Sequence, residues 1–222
     1  MKYPKIHAPF KRVEKKGPDC GKLIYDDWSL PVFKCLVNTD WIVTEKIDGT
    51  NIRIIWDGTS VEIKGRTDNA QFAGKGYGDL YRLLTAEYTP ERLADAPPCI
   101  IYGEGYGNGI QAAGGKYIRD GVSFAAFDVL ITDGDKRYWA THSYFKELAG
   151  KLGIPRVPEI KSMTLNEAMH LASLEPWSAL AGFPAEGYVL KHEPWLRYYQ
   201  DRVICKVKSV DFAPGRLYYP MS

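Results

Sequence analysis

Runs of β-branched and aromatic residues, separated by turn-forming dipeptides, organise the first half of the chain. Trp41-Ile-Val-Thr44 and Asn51-Ile-Arg-Ile-Ile-Trp56 predict strands, and Asp57-Gly58 predicts a tight hairpin turn into Val61-Glu-Ile-Lys64. Tyr77 to Glu87 has apolar residues at helical spacing, and Pro97-Pro98 then punctuates the chain before a strand at Cys99 to Glu104. A second hairpin is predicted from Ser123 to Ile131, through Thr132-Asp-Gly-Asp135, to Lys136–Ala140. Two helices follow, one from Thr141 to about Leu152 and one opened by the capping box Thr164-x-x-Glu167 and running to about Ser173. Glu186 to Lys191 and Arg202 to Lys208 predict the last strands. No internal repeat, low-complexity tract or composition break marks a boundary, so a single domain over 1–222 is expected.

Composition narrows the classes. The 222 residues are 45% hydrophobic and 25% charged, enough to bury a core and unlike a disordered chain. A formal charge of +2 is nearly balanced, so a polyanion has to be held by a local basic patch. Lys11, Arg12, Lys15 and Lys16 offer one candidate, although such a run is more commonly a solvated arm. The four cysteines form no C-x-x-C pair and have no histidine at ligand spacing, which argues against zinc and suggests reduced thiols in a cytoplasmic compartment. No signal-like or membrane-spanning run is present, and no membrane partner is expected.

The candidate chemistry centres on the loop Thr44-Glu45-Lys46-Ile47-Asp48-Gly49-Thr-Asn51, between two predicted strands. Lys46 is the candidate nucleophile. A lysine at its reference pKa of about 10.4 is protonated at neutral pH, so one that attacks phosphorus has to be activated by its surroundings. By itself Lys-x-Asp-Gly more often marks a surface lysine beside a turn. Lys206 and Lys208, two apart on a strand, project from one face while Cys205 and Val207 point inward. That face either binds phosphate or is the solvated side of an edge strand. Asp48, Glu104 and Glu186 come from separate strand ends, where clustered carboxylates would repel one another unless a cation or proton intervened. Phe127 and Asp128, adjacent on a strand, are expected to face opposite sides.

Other signals fail. The glycine clusters 74–78 and 103–109 match neither the phosphate-loop nor the dinucleotide fingerprint and read as mobile loops. The four histidines form no H-E-x-x-H, and no G-x-S-x-G serine accompanies them, which leaves protease and esterase chemistry without support.

Lys46-Ile-Asp48-Gly49, Gly65-Arg66-Thr67, Tyr102-Gly103-Glu104, Phe124-Ala-Ala-Phe127-Asp128, Glu186-Gly187-Tyr-Val-Leu-Lys191 and Lys206-Val207-Lys208 stand in the order of motifs found in covalent nucleotidyltransferases. The chain resembles that superfamily of polynucleotide ligases and mRNA capping enzymes from residue 41 to residue 208. The resemblance implies an α/β (α+β) nucleotidyltransferase domain of mixed, largely antiparallel sheets with flanking helices, the ATP-grasp-like core of ligases. No OB-fold domain is expected, since too little chain follows Lys208. Asn51 is similar to the nick-sealing RNA ligases of phages and protists, whereas Asp48 is also what DNA ligases have.

What the resemblance implies is an ATP-dependent RNA ligase that joins 5'-phosphate and 3'-hydroxyl ends of nicked or broken RNA or DNA through a lysyl-AMP intermediate. Lys46, Lys206 and Lys208 would be catalytic. Thr44, Glu45, Ile47, Asn51, Arg66, Glu104, Phe127 and Glu186 would join those lysines around the nucleotide, with Phe127 stacked on the purine. Asp48, Glu104 and Glu186 would hold Mg2+ or Mn2+, a hard cation that keeps several waters and bridges carboxylates to phosphates. Repair of nucleic acid by a monomer, with end-healing enzymes or a separate OB module as partners, completes the expectation. The alternatives are a DNA ligase or capping-type transferase with its OB module on another chain, and a non-catalytic nucleic-acid-binding protein.

Overall fold

The computed structural model describes residues 1–68, 71–193, 197–198 and 201–220. The chain begins with β1 (Phe10–Arg12), β2 (Leu23–Trp28), α1 (Pro31–Cys35) and β3 (Asp40–Glu45). It continues through β4 (Thr50–Trp56), β5 (Val61–Lys64), α2 (Lys75–Glu87), α3 (Pro90–Leu93) and β6 (Cys99–Gly107). Then come α4 (Gly114–Tyr117), β7 (Val122–Asp133), β8 (Lys136–Trp139) and α5 (His142–Lys151). The last stretch holds β9 (Glu159–Thr164), α6 (Leu165–Ser173), β10 (Gly187–Lys191), β11 (Arg197–Tyr198), β12 (Asp201–Arg202), β13 (Ile204–Lys208), α7 (Ser209–Phe212) and β14 (Leu217–Tyr218). These elements form two compact units: Met1–Tyr3 with Ile47–Val157, and Pro4–Lys46 with Pro158–Ser222.

The central unit, Ile47–Val157 with Met1–Tyr3, is built on an antiparallel sheet in the order β5-β4-β6-β7-β8. Alternation places Ile52, Ile54, Phe124 and Val129 on one face, packed with Leu80 and Leu84 of α2 and with Phe145 and Leu148 of α5. The opposite face carries Ile100, Tyr102 and Leu130, with Tyr3 and Trp139 against them. The glycine clusters are loops only at their ends, at Gly74 before α2 and at Gly109 after β6. Gly103, Gly105 and Gly107 lie inside β6, and Gly76 and Gly78 lie inside α2. Close approach explains the choice: a Cβ at Gly103 would strike the Phe124 ring, and one at Gly105 would strike Leu80. Gly103→Ala is therefore expected to destabilise the protein by about 1–3 kcal/mol through overpacking. Gly150→Ala, in open space within α5, is expected to gain up to about 1 kcal/mol of helix propensity. Urea denaturation midpoints moving in opposite directions check both.

The second unit holds an antiparallel sheet β13-β10-β3-β9 and a smaller one, β1-β2-β14, in which β14 runs parallel to β2. Trp41, Val43, Leu190, Cys205 and Val207 form the buried side of the larger sheet, packed with Leu165, Ala168 and Ala172 of α6. The capping box that opens α6 is complete, with the Thr164 hydroxyl accepting from Glu167 N–H and the Glu167 carboxylate accepting from Thr164 N–H. Strands β1, β2, β9 and β14 go beyond the sequence pattern. β9 buries only Met163, and β2 carries two aspartates, one at φ +61°, so neither shows an apolar alternation.

Candidate functional site

In the second unit, three neighbouring strands end side by side, and their register assembles the lysine motif. Lys46 follows β3, and its N–H donates to Gly187 O at 2.9 Å, which carries the β3–β10 ladder one residue further. Gly187 lies opposite Lys208 of β13. A Cβ at Gly187 would meet the backbone of Val207 and Lys208, and its φ is +146°, so only glycine lets β13 come this close. The consequence is that Glu186, one residue earlier, reaches both lysines. Its Oε2 accepts from Lys46 Nζ at 2.7 Å and its Oε1 from Lys208 Nζ at 2.7 Å. Half-buried, these charge-assisted interactions are stronger than exposed ion pairs.

Lys206 lies on the same strand face as Lys208, as the alternation predicts, with Cys205 and Val207 fully buried behind it. Burial lowers its pKa, and the positive charges of Lys208, Lys46 and Arg12 lower it further. Among the described residues its ammonium makes no hydrogen bond or ion pair, so it is a partly desolvated cation beside other cations, whose effect the Glu186 carboxylate only partly offsets. The folded pKa lies below the unfolded value of about 10.4, so the unfolded chain binds more protons between the two, and stability rises with pH across that window. Lys206→Met is expected to raise the denaturation midpoint at neutral pH, to abolish that alkaline rise, and to slow nucleotide transfer. Denaturation from pH 7 to 10, with activity measured alongside, checks it.

Thr44 and Glu45 are buried at the end of β3. The Thr44 hydroxyl donates to Val189 O at 3.3 Å. The Glu45 carboxylate accepts from the Ser178 hydroxyl and from Ala179 N–H at 2.8 Å, which ties the segment around Ser178 to β3.

The remaining candidates belong to the central unit. Ile47 is buried against Tyr106 and Ala125, and the Asp48 N–H donates to the Tyr117 hydroxyl at 3.1 Å. Gly49 sits so close to β6 that a Cβ would strike Gly105 O and the Glu104 side chain. Asn51 and Glu104 are cross-strand partners on β4 and β6. The Asn51 Oδ1 is buried with no hydrogen-bond partner among the described residues, an acceptor with unused capacity on the strand pair that carries Glu104. Arg66 is exposed just after β5.

Arg53, which the motif reading overlooks, holds the Arg66 loop. It is 1% exposed, donating from Nε to Gly65 O at 2.9 Å and from Nη2 to Asp68 Oδ1 at 2.8 Å. The signal was an arginine in the middle of an apolar strand.

Phe127 and Asp128 correct a sequence expectation. They do not face opposite sides, because Phe127 is the extra residue of a β-bulge between the Asp128–Tyr102 and Ala126–Gly103 pairs. The bulge resets the alternation. Tyr3 therefore meets both residues, with its ring edge-on to Phe127 at 5.0 Å and its hydroxyl donating to Asp128 Oδ2 at 2.7 Å. Asp128 also accepts from Val129 N–H, which makes it a structural brace.

Among the described residues, no three His, Cys, Asp or Glu side chains converge on one point that would hold a metal. The acids named from the sequence are oxygen donors suited to a hard cation, and Glu186 is shared between two lysines.

The family model for RNA ligase matches residues 39–208. The chain belongs to the RNA ligase family, and its fold is that of an RNA-ligase-type covalent nucleotidyltransferase domain, mixed α/β with antiparallel sheets. Similar solved structures include the Naegleria gruberi RNA ligase as an apo variant, at TM-score 0.65 and 16% identity, over 95% of this chain and 62% of that one. A variant of the same ligase with ATP and Mn matches at TM-score 0.62 and 19% identity, over 93% and 61%. The ligase with PPi matches at TM-score 0.62 and 20% identity, over 80% and 52%. The chain thus spans about half to three-fifths of the length of these structures, and at these identities the likeness is one of fold. No curated protein sequence matches it. No helix among the described residues is long and apolar enough to cross a membrane.

Proposed function

We propose that the chain is the adenylating core of an ATP-dependent RNA ligase that joins 3'-hydroxyl to 5'-phosphate ends. The observation that carries this reading is the meeting of Lys46 and Lys208 on the two oxygens of Glu186. Three residues from separate motifs meet there, the proposed nucleophile among them, and family membership and the ATP-, Mn- and PPi-bound relatives support the reading.

In the first step the Lys46 ammonium gives up a proton, and Glu186 is the group hydrogen-bonded to it. The amine attacks the α-phosphorus of ATP, an N–P bond forms, the bond to the bridging oxygen breaks, and pyrophosphate leaves with the electron pair. A 5'-phosphate oxygen next displaces Lys46 to form a 5'-5' pyrophosphate linkage. A 3'-hydroxyl then attacks the 5'-phosphate, loses its proton and expels AMP. Lys206 and Lys208 neutralise charge on the phosphoryl oxygens, while Asn51, Arg66, Thr44, Glu45 and Ile47 position the nucleotide and Phe127 packs on the purine. Asp48, Glu104 and Glu186 would offer oxygens, without a preformed three-carboxylate cluster among the described residues, to Mg2+ or Mn2+ entering with the triphosphate, and the ion would supply charge neutralisation at the phosphates.

The direct test is RNA carrying a labelled 5'-phosphate across a nick from a 3'-hydroxyl. With ATP and magnesium the label should become resistant to phosphatase in a joined strand. Label that stays phosphatase-sensitive on RNA and becomes resistant on DNA, or only when GTP replaces ATP, would move the assignment to a DNA ligase or a capping-type transferase.

A further inference from the structure

The second unit holds a groove of about 820 Å3 that adjoins the lysine cluster, formed mainly by residues 5–15 and β2, with Lys206 of β13 and Tyr218 of β14 at its edge. Its basic lining is Lys5, Lys11, Arg12, Lys15 and Lys206, with His7 among them, against two acids, Glu14 and Asp27. In a chain of formal charge +2, this is a local concentration of positive charge. The acids do not cancel it evenly. Asp27 is paired with Lys11 at 2.7 Å, and Arg12 is fixed by Asp211 from outside the groove at 2.6 Å. Lys5, Lys15 and Lys206 make no ion pair among the described residues.

Lys206 links the groove to the proposed reaction, because it lines the groove while sharing a strand face with Lys208. His7 O accepts from Lys206 N–H at 2.9 Å, so the N-terminal segment is stitched to β13 beside Lys206. Phe10, Ile24 and Tyr218 supply an apolar wall. A lone phosphate would leave most of this volume empty, and an apolar wall beside spaced cations suits sugar and base edges beside a phosphate backbone. Lys5 to Lys15 lie before residue 39, where the family match begins, so the family assignment says nothing about them.

We infer that this groove binds the phosphate backbone of the polynucleotide strand and leads its end towards Lys206. The inference rests on the ligase reading for the identity of the strand. The competing source of phosphate is the triphosphate of ATP, and the experiment separates the two.

Fluorescence anisotropy of a labelled, 5'-phosphorylated single-stranded RNA is measured across a salt series with the full chain. The proteins are wild type, Lys5→Glu/Lys15→Glu, and a charge-matched control, Lys34→Glu/Lys136→Glu. All four positions are exposed, so folding is not at stake. The groove variant should bind RNA about tenfold more weakly or worse, with a log–log salt slope shallower by about 1.4, or 0.7 for each phosphate left unneutralised on a single strand. The control should keep the wild-type slope, and half-maximal self-adenylation should need the same ATP concentration in all three. RNA binding by the groove variant that equals the control overturns the inference. A raised ATP requirement with RNA binding unchanged overturns it in favour of the triphosphate. Failure of the ligase reading would show separately, as wild-type protein that takes up no AMP at all.

Discussion

Lys46→Ala and Lys46→Arg are both expected to remain folded and to take up no AMP. The Lys46 side chain is 24% exposed and its polar partner is Glu186, which Lys208 still holds when Lys46 is removed, so the loss is that of one charge-assisted hydrogen bond, about 1.5–3 kcal/mol, which a folded domain tolerates. The chemical loss is complete, because alanine has no nucleophile. Arginine separates the chemical role from a structural one. It keeps a positive charge beside Glu186, yet a guanidinium stays protonated at any usable pH and offers no free electron pair to phosphorus. If Lys46 acted only by holding Glu186 and β10 in place, Lys46→Arg would retain substantial activity. Radiolabel transfer from α-labelled ATP, together with denaturation midpoints, checks both variants; measurable adenylation of Lys46→Arg would count against nucleophilic attack from this position.

Glu186→Ala is the second large effect. The carboxylate is the shared acceptor of Lys46 and Lys208, and Lys206 stands on the same face, so deletion leaves three lysines around one removed negative charge. Lys46 is then without the partner that fixes its direction, and on the proposed reading a divalent cation would be short of a ligand. Loss of a group that orients a reactive residue or metal ligand typically costs about 10–100-fold, and self-adenylation should slow by that order. Raising magnesium should recover part of the rate if coordination contributes. Glu186→Gln keeps the shape and one acceptor oxygen but loses the charge and turns the second acceptor into an NH2 donor, so it can hold only one of the two lysines and should fall between wild type and alanine. Glu104→Ala should slow the reaction in the same magnesium-dependent way. Wild-type rates in these variants at limiting magnesium would remove the acids from the reaction.

Much of this arrangement is legible in the chain because it is local. The β4–β5 hairpin, the alternation of Lys206 and Lys208 against Cys205 and Val207, and the capping box at Thr164 each depend on residues within a few positions of one another, and each appears in the structure. What escapes is set by partners distant in sequence. The bulge at Phe127 exists only relative to β6, so no period within 122–133 shows it. The glycines of β6 are small because Phe124 and Leu80 press on them, a reason absent from their neighbours in sequence, and so they resemble a loop. Gly187 is the same case, since its partner is the backbone of β13. Arg53 could have been singled out, because a charged residue between Ile52 and Ile54 has to find acceptors, and Gly65 O and Asp68 supply them.

The account turns on one covalent bond. Intact-mass analysis of the wild-type protein after incubation with ATP and magnesium, followed by peptide mapping, tests it most directly. The expected result is a single adenylyl group, removed on incubation with pyrophosphate and located on the peptide containing Lys46. An unmodified protein with both Mg2+ and Mn2+, or an adenylyl group mapped to any other residue, would contradict it.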